Sequence, residues 1–161
     1  MPAFYRVNQY PIWNVRTDVG VSKRADRMDV KLVQFLLNKV LWWKQESGAL
    51  SLAQVTGHHL AQDGIFGGQS RAALLIYQNH VAGLTPDGNV SSVRNHQTSW
   101  SAAHDWSIVC LNEDYASWRC SETGTFNMSS AMQYMPGDPE INRELGAVLS
   151  MTYLNSGGMP I

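Results

Sequence analysis

The chain has 161 residues and a mass of 18.0 kDa, which is enough for one ordinary domain or, at the upper limit, two very small ones. Hydrophobic residues make up 44% and charged residues 16% of the chain, which excludes a disordered protein and favours a packed core. The charge is uneven, since eight Lys and Arg face three Asp up to Lys44 and four face ten acidic residues beyond it. No Lys/Arg cluster is interleaved with aromatic residues, so we expect no nucleic-acid binding.

Residues 1–28 form a predicted N-terminal arm. It contains no continuous apolar stretch followed by a cleavage site, so no secretory signal peptide is predicted and the expected default location is the cytoplasm. No apolar stretch of the chain reaches the roughly 18 to 20 residues that a membrane span needs, so no span is predicted. Four aromatic residues indicate that the arm is held on a core or on another subunit: Phe4, Tyr5, Tyr10 and Trp13.

The first predicted helix covers residues 29–44. Its apolar positions recur at steps of three and four from Val30 to Leu41, which is typical of a helix with a broad buried stripe. Either Asp26 or Asp29 is expected to cap its start. Residues 45–62 carry glycines and no sustained period, and we interpret them as a linker with room for one short turn.

The second predicted helix covers residues 69–81. The stretch "QDGIFGG" before it contains the turn signal Asp63-Gly64, and Gly83 with Pro86 marks its end. A second Asp-Gly turn, Asp87-Gly88, lies 24 residues after the first. The pair predicts two related connections around one helical core.

Two further helices are predicted in the rest of the chain. The third covers "SIVCLNEDYASW", with Ser107 as N-cap, and it follows an inserted loop at 91–105. A C-terminal helix is predicted in "GDPEINRELGAVLSMTYLN", with Asp138 as cap and Pro139 at the first position. Its expected buried face is Ile141, Leu145, Val148, Leu149 and Tyr153.

The order of "DVKLVQFLLNKV", "DGIFGGQSRAALLIYQ" and "GLTPDGNV" resembles the peptidoglycan-binding domain family, a three-helix module of cell-wall hydrolases and other envelope proteins. The linker after the first helix is longer than is usual in that family, and the third helix is displaced by the inserted loop. The resemblance implies a compact three-helix core at 29–118 with long loops. Together with the C-terminal extension at 119–161, whose helix is expected to pack on that core, it predicts an all-α fold. The matching positions are Val30, Val33, Gln34, Asp63, Gly64, Phe66, Gly67, Tyr77, Gln78, Gly83, Leu84, Asp87 and Gly88.

A glycan groove, if retained, is expected beside the second helix and the two turns. Asp63 and Asp87 also have a structural interpretation, because a carboxylate at a helix entrance accepts backbone N–H groups. Phe66 and Tyr77 are likewise compatible with core packing. The candidate ligand-binding residues are Asp63, Phe66, Gly67, Arg71, Tyr77, Gln78, Asp87 and Trp100.

Catalysis has little support, and we predict that the chain is not an enzyme. His58 and His59 are adjacent on an irregular segment and lack an acidic partner at a motif spacing, so no metal is predicted. Ser70 in "GGQSR" lies outside a nucleophile-elbow pattern. Cys110 is interpreted as a core residue, and it and Cys120 are expected to be two reduced thiols, although their spacing also permits a disulfide. No cofactor is predicted.

Two functions remain open. The first is a non-catalytic peptidoglycan-binding module, which a phage tail or a type VI secretion-like apparatus would carry to the wall. The second is an intracellular protein-interaction or structural module that keeps the fold without the wall ligand. The partner is accordingly peptidoglycan or another protein.

Overall fold

The computed structural model describes residues 9–55, 59–93, 106–123, 138–145 and 150–155. These residues are mostly helical, which confirms the predicted all-α class. The chain forms two compact units: a central unit, Val15–Ser92, and a terminal unit, Met1–Asn14 with Val93–Ile161. These boundaries differ from the predicted segments 1–28, 29–118 and 119–161, because the third helix lies in the terminal unit and the first two in the central unit.

The longest helix of the central unit is α1, Arg27–Glu46. Asp26 is its N-cap and accepts a hydrogen bond from Met28 N at 2.8 Å, which settles the choice between the two candidate caps. Asp29 instead is buried and holds the entering chain, because its carboxylate accepts from Arg16 N at 3.1 Å and Thr17 N at 2.9 Å.

The linker after α1 is held to that helix by a buried amide. The Asn38 side chain accepts from Leu60 N at 2.7 Å and donates to Leu60 O at 2.8 Å. It thus satisfies both backbone hydrogen-bonding groups of Leu60. The predicted short turn is present as α2, Leu52–Val55. Ser51 and Gln54 begin it as a capping box, each side chain bonding the other residue's backbone N–H.

The second predicted helix is confirmed as α3, Gly68–Ile76, which continues into a wider final turn, Tyr77–Val81. In that turn Ala82 N bonds Tyr77 O at 2.9 Å, five residues back. Gly83 then adopts a φ of +65°, a conformation that glycine accepts without strain, and the helix ends.

The core of the central unit is apolar and comes mainly from α1 and α3, which contact each other. Val19 and Val90 exchange backbone hydrogen bonds of 2.8 Å, so the two ends of the unit meet in an isolated β-bridge. The side chains of α1 and α3 that are at most 2% exposed include Val30, Leu32, Val33, Phe35, Leu36, Leu37, Val40, Leu41, Ala73 and Leu74.

The terminal unit contains a two-stranded antiparallel ladder that the sequence did not predict. Strand β1, Gln9–Asn14, pairs with β2, Ser150–Asn155, in a register that runs from Gln9↔Asn155 to Asn14↔Ser150. The predicted C-terminal helix is present as α5, Pro139–Leu145, and the prediction is wrong at 150–155, which form β2. Its cap Asp138 and its buried residues Ile141 and Leu145 are confirmed. Of the remaining predicted face, Tyr153 belongs to β2, and Val148 and Leu149 lie outside the described residues.

The third predicted helix is present as α4, Ser107–Thr123, in the terminal unit. Ser107 is its first residue and not its N-cap, because Trp106 O already accepts from Cys110 N at 3.1 Å. Cys110 and Cys120 are buried and form no disulfide. They lie ten residues apart on one helix, about 15 Å along its axis, which is too far for a disulfide between them.

Buried polar groups connect the elements of the terminal unit. Asn112 of α4 accepts from Trp13 N at 2.7 Å and donates to Trp13 O at 2.9 Å, so its amide acts as a strand partner for β1. Arg119 of α4 lies 3.3 Å from Asp138 and 3.5 Å from Glu140 at the start of α5. Burial, together with these two carboxylates, raises the pKa of Tyr115. Trp13, in the predicted N-terminal arm, is only 7% exposed.

Candidate functional site

The two Asp-Gly turns of the central unit are each held by a glutamine side chain. In the first clamp, formed by Gln34 and residues 63–65, Gln34 Nε2 donates to Asp63 Oδ1 at 3.1 Å and to Ile65 O at 3.0 Å. Gln34 Oε1 accepts from Gly64 N at 3.0 Å, and Asp63 Oδ1 also accepts from Ile65 N at 2.9 Å. One buried amide thus satisfies both edges of the turn.

The second clamp, formed by Gln78 and residues 87–89, repeats this geometry. Gln78 Nε2 donates to Asp87 Oδ1 at 2.9 Å and to Asn89 O at 3.0 Å, and Gln78 Oε1 accepts from Gly88 N at 3.0 Å. Asn89 N donates to Asp87 Oδ1 at 2.9 Å. Each of the four hydrogen bonds described for the first clamp therefore has a counterpart in the second clamp.

The sequence around the two glutamines carries the same repeat. "RMDVKLVQ" ends at Gln34 and "RAALLIYQ" ends at Gln78, so each has an arginine seven residues before the glutamine and apolar residues at four matching positions between them. Gly64 and Gly88 both adopt a positive φ, 78° and 73°. A glycine is needed at both turns because side chains disfavour that conformation.

A groove of about 190 Å³ lies beside the first clamp, where the end of the linker, the first turn and the start of α3 meet. Ile65 on its wall is 69% exposed, so it presents apolar surface to the groove. Gly67 and Gly68 also line the groove, and a methyl group added at either would meet no other atom within 4 Å. The other side chains on its wall are apolar Leu60 and Ala61 and polar Gln34, Asp63, Gln69 and Ser70.

Asp63 is the ionisable group at this groove. The hydrogen bond from Ile65 N, followed by that from Gln34, lowers the pKa of its carboxyl below the ordinary value of 3.8, so the carboxylate stays charged at neutral pH. Arg27 contributes a smaller effect in the same direction, and its Nε donates to Asp63 O at 3.1 Å.

The predicted ligand-binding residues fall into three groups. Asp63 and Gly67 line the groove, and Phe66 lies between them in the chain and is half-buried. Gln78 and Asp87 form the second clamp, and the side chain of Arg71 lies against Gly88 of the same turn. Tyr77 is completely buried. Trp100 and most of the inserted loop lie outside the described residues.

Sequence reasoning missed most of the groove wall. Leu60 and Ala61 come from the linker, and Gln69 lies in the first turn of α3. A usable signal was Ile65, an apolar residue in the turn directly before α3. Gln34 was matched to the family pattern, yet the repeat it shares with Gln78 was not used.

No protein-family model, curated protein or solved structure matches the chain. Within the described ranges, no group of three or more His, Cys, Asp or Glu side chains is placed to hold a metal ion. In the same part of the chain, no helix is both long enough and apolar enough to cross a membrane.

Proposed function

We propose that the chain is a non-catalytic peptidoglycan-binding module whose ligand lies in the groove beside the first clamp. The proposal rests on the ordered motifs that resemble the peptidoglycan-binding domain family. It also rests on the way both Asp-Gly turns of that pattern are held by the glutamines of the same pattern. Carbohydrate and peptide ligands offer hydroxyls, amides and apolar faces. The polar side chains of the groove can hydrogen-bond the hydroxyls and amides, and its apolar side chains can contact the apolar faces.

The single observation that carries the proposal is the groove with Ile65 exposed on its wall. Surrounding polar groups such as Gln69 and Ser70 would fix the orientation of a ligand, while Ile65 and Leu60 would bury its apolar surface. Gly67 and Gly68 leave the backbone open to close approach.

Sedimentation of the purified protein with insoluble peptidoglycan sacculi tests the proposal. The wild type is expected to bind saturably, and Ile65→Ser is expected to weaken binding on the order of tenfold, because it removes apolar surface from the contact. Leu52→Ser is the matched control, since Leu52 is 66% exposed against 69% for Ile65 but lies outside the groove. Equal loss in both variants would contradict the assignment of the groove.

A protein-interaction module is the second candidate, favoured by exposed apolar side chains away from the groove. Trp42 near the end of α1 is 50% exposed, and Leu52 lies in α2, which contacts α1. Exposed large apolar residues that cluster commonly mark protein interfaces. A folded wild-type chain that fails to sediment with sacculi at high protein concentration would favour this function over wall binding.

A further inference from the structure

The charge of the groove indicates which part of a wall ligand it takes. Of the described residues that line it, Asp63 is the only one with an ionisable side chain. The remaining polar groups on the wall are the neutral side chains of Gln34, Gln69 and Ser70. A ligand group that is buried against this wall therefore meets one fixed negative charge.

The Asp63 carboxylate is held in place and still has an oxygen to offer. Oδ1 is used inside the first clamp, where it accepts from Ile65 N and Gln34 Nε2. Both of these hydrogen bonds are made to Oδ1 and not to Oδ2, and the residue is exposed. A pre-oriented carboxylate with a vacant oxygen binds a cationic donor at little entropic cost.

Two positive groups near the groove oppose the binding of a cation. The N-terminus of α3 contributes a partial charge of roughly half a unit, which is smaller than the full charge of Asp63. Arg27 is not part of the groove wall, and its Nε is used by the carbonyl oxygen of Asp63. The group directly available to a ligand in the groove is thus the carboxylate.

We propose that the groove binds the free side-chain amine of the peptide stem of peptidoglycan, with the ammonium group paired to Asp63 Oδ2. This inference rests on the proposed function. The amino sugars of the glycan strand are N-acetylated and carry no charge there, whereas the diamino acid of a stem keeps a free amine unless that amine has accepted a cross-link. The module consequently recognises stems whose side-chain amine has not been acylated by a cross-link.

The test compares untreated sacculi that have diaminopimelate stems with the same sacculi after acetylation of their free amines. Wild-type protein is expected to bind the acetylated sacculi up to about fivefold more weakly, which is the scale of an ion pair at an exposed site. Binding to untreated sacculi is expected to weaken as salt is raised, because salt screens exposed charges.

Two isosteric substitutions complete the design. Asp63→Asn keeps the Oδ1 acceptor of the first clamp and removes the charge, so we expect it to lose the same factor, up to about fivefold, on untreated sacculi and to be insensitive to acetylation. Asp87→Asn makes the same change in the second clamp, outside the groove, and is expected to bind as the wild type does.

The outcomes separate the inference from the proposed function. Wild-type binding that is saturable and unaffected by acetylation would keep the wall-binding function and overturn the amine assignment. Weakened binding of Asp63→Asn without an effect of acetylation would make Asp63 an acceptor for a hydroxyl or amide, which also overturns it. No binding of folded wild type to untreated sacculi would overturn both.

Discussion

At the residue scale, the two clamp glutamines show how one side chain type is suited to a tight turn. A glutamine amide both accepts and donates hydrogen bonds, and Gln34 and Gln78 each accept from the turn glycine and donate to a turn carbonyl. Gln78 was predicted as a ligand residue from its place in the motif, yet it is 1% exposed and its amide is occupied by residues 87–89. A motif position alone does not distinguish a buried structural amide from one that faces a ligand.

Replacing either clamp glutamine is expected to destabilise the protein by a similar amount. Gln34→Ala and Gln78→Ala each leave the N–H of the turn glycine and a carbonyl without their partner, at a cost of about 2–3 kcal/mol in the free energy of unfolding. Urea denaturation measures the change. Because the two sites repeat one geometry, the two losses should agree within about 1 kcal/mol.

Gln69→Ala is the control for the clamp substitutions, since Gln69 is a helix glutamine with an exposed side chain. Its effect on the free energy of unfolding is expected to stay within about 0.5 kcal/mol. A clamp variant as stable as this control would mean that the turn keeps its structure without the amide.

Gly68→Ala separates a structural role of that glycine from a role in binding. Gly68 opens α3 with space around it, so alanine is expected to raise the free energy of unfolding by up to about 1 kcal/mol through its better helix propensity. The added methyl group is expected to weaken binding to sacculi, because it narrows the groove. Urea denaturation and sacculus sedimentation are measured on the same preparations.

Asn142→Ala controls for a general gain in helix propensity, since Asn142 is exposed on α5 in the terminal unit. It is expected to leave binding unchanged. Undiminished binding of Gly68→Ala would show that the open glycine is not needed for ligand approach.

At the element scale, helices set by local patterns were predictable and the strand ladder was not. α1, α3 and α4 follow apolar residues at helical spacing, and their positions agree with the sequence to within a few residues. Residues 150–155 were placed in a helix because Leu145, Leu149 and Tyr153 continue the spacing of Ile141. Their pairing with Gln9–Asn14 depends on a segment about 140 residues away, which no local pattern encodes.

Asp138 is expected to determine whether α5 is held at its place in the terminal unit. Its Oδ1 accepts from Glu140 N at 2.9 Å and Ile141 N at 3.1 Å, while Oδ2 lies 3.3 Å from Arg119. Asp138→Ala removes the cap and the ion pair, and we expect a loss of roughly 2 kcal/mol in the free energy of unfolding. Asp138→Asn retains the capping oxygen and is expected to lose less.

Glu144→Ala provides the comparison for these variants. Glu144 is exposed on the same helix and its carboxylate pairs with the neighbouring Arg143 at 3.4 Å, so little change in stability is expected. Urea denaturation of the three variants gives the order. Equal stability of Asp138→Ala and Glu144→Ala would exclude Asp138 as the residue that holds α5.

At the scale of the whole molecule, the sequence indicated the helices of the three-helix pattern but not their division between units. The predicted module ran from residue 29 to residue 118, whereas the central unit ends at Ser92 and α4 belongs with both chain ends. Long-range polar contacts create that association, and they come from single asparagines. Asn14 exchanges two hydrogen bonds with Val93, at 2.8 and 3.2 Å, and Asn112 does the same with Trp13. Asparagine in a strand or helix carries no sequence signal for such a partner.

The same reasoning explains which part of the site was predictable. The first turn and Gly67 were identified because turn chemistry is local. The remaining wall needed the linker to return to the first turn, and that return depends on Asn38 and its two bonds to Leu60. A polar residue within an apolar helix pattern is compatible with many partners, so the groove was not foreseeable as a whole.

Asn112 is expected to be the most sensitive polar residue of the terminal unit. Its side chain is 0% exposed and hydrogen-bonds both backbone groups of Trp13 in β1. Asn112→Ala removes these two bonds and is expected to lower the free energy of unfolding by about 2–4 kcal/mol.

Asn112→Asp is expected to lower the free energy of unfolding further at neutral pH. A buried carboxylate oxygen would then face the carbonyl oxygens of Trp13 and Ile108, to which Nδ2 now donates. Burial raises the pKa of such a carboxyl, so the extra cost should shrink as pH falls and the group becomes a donor again. Urea denaturation at several pH values, with exposed Glu122→Ala of the same helix as control, measures both effects. A loss for Asn112→Asp no larger than that for Asn112→Ala at neutral pH would mean that the amide of Asn112 does not hold β1 on α4.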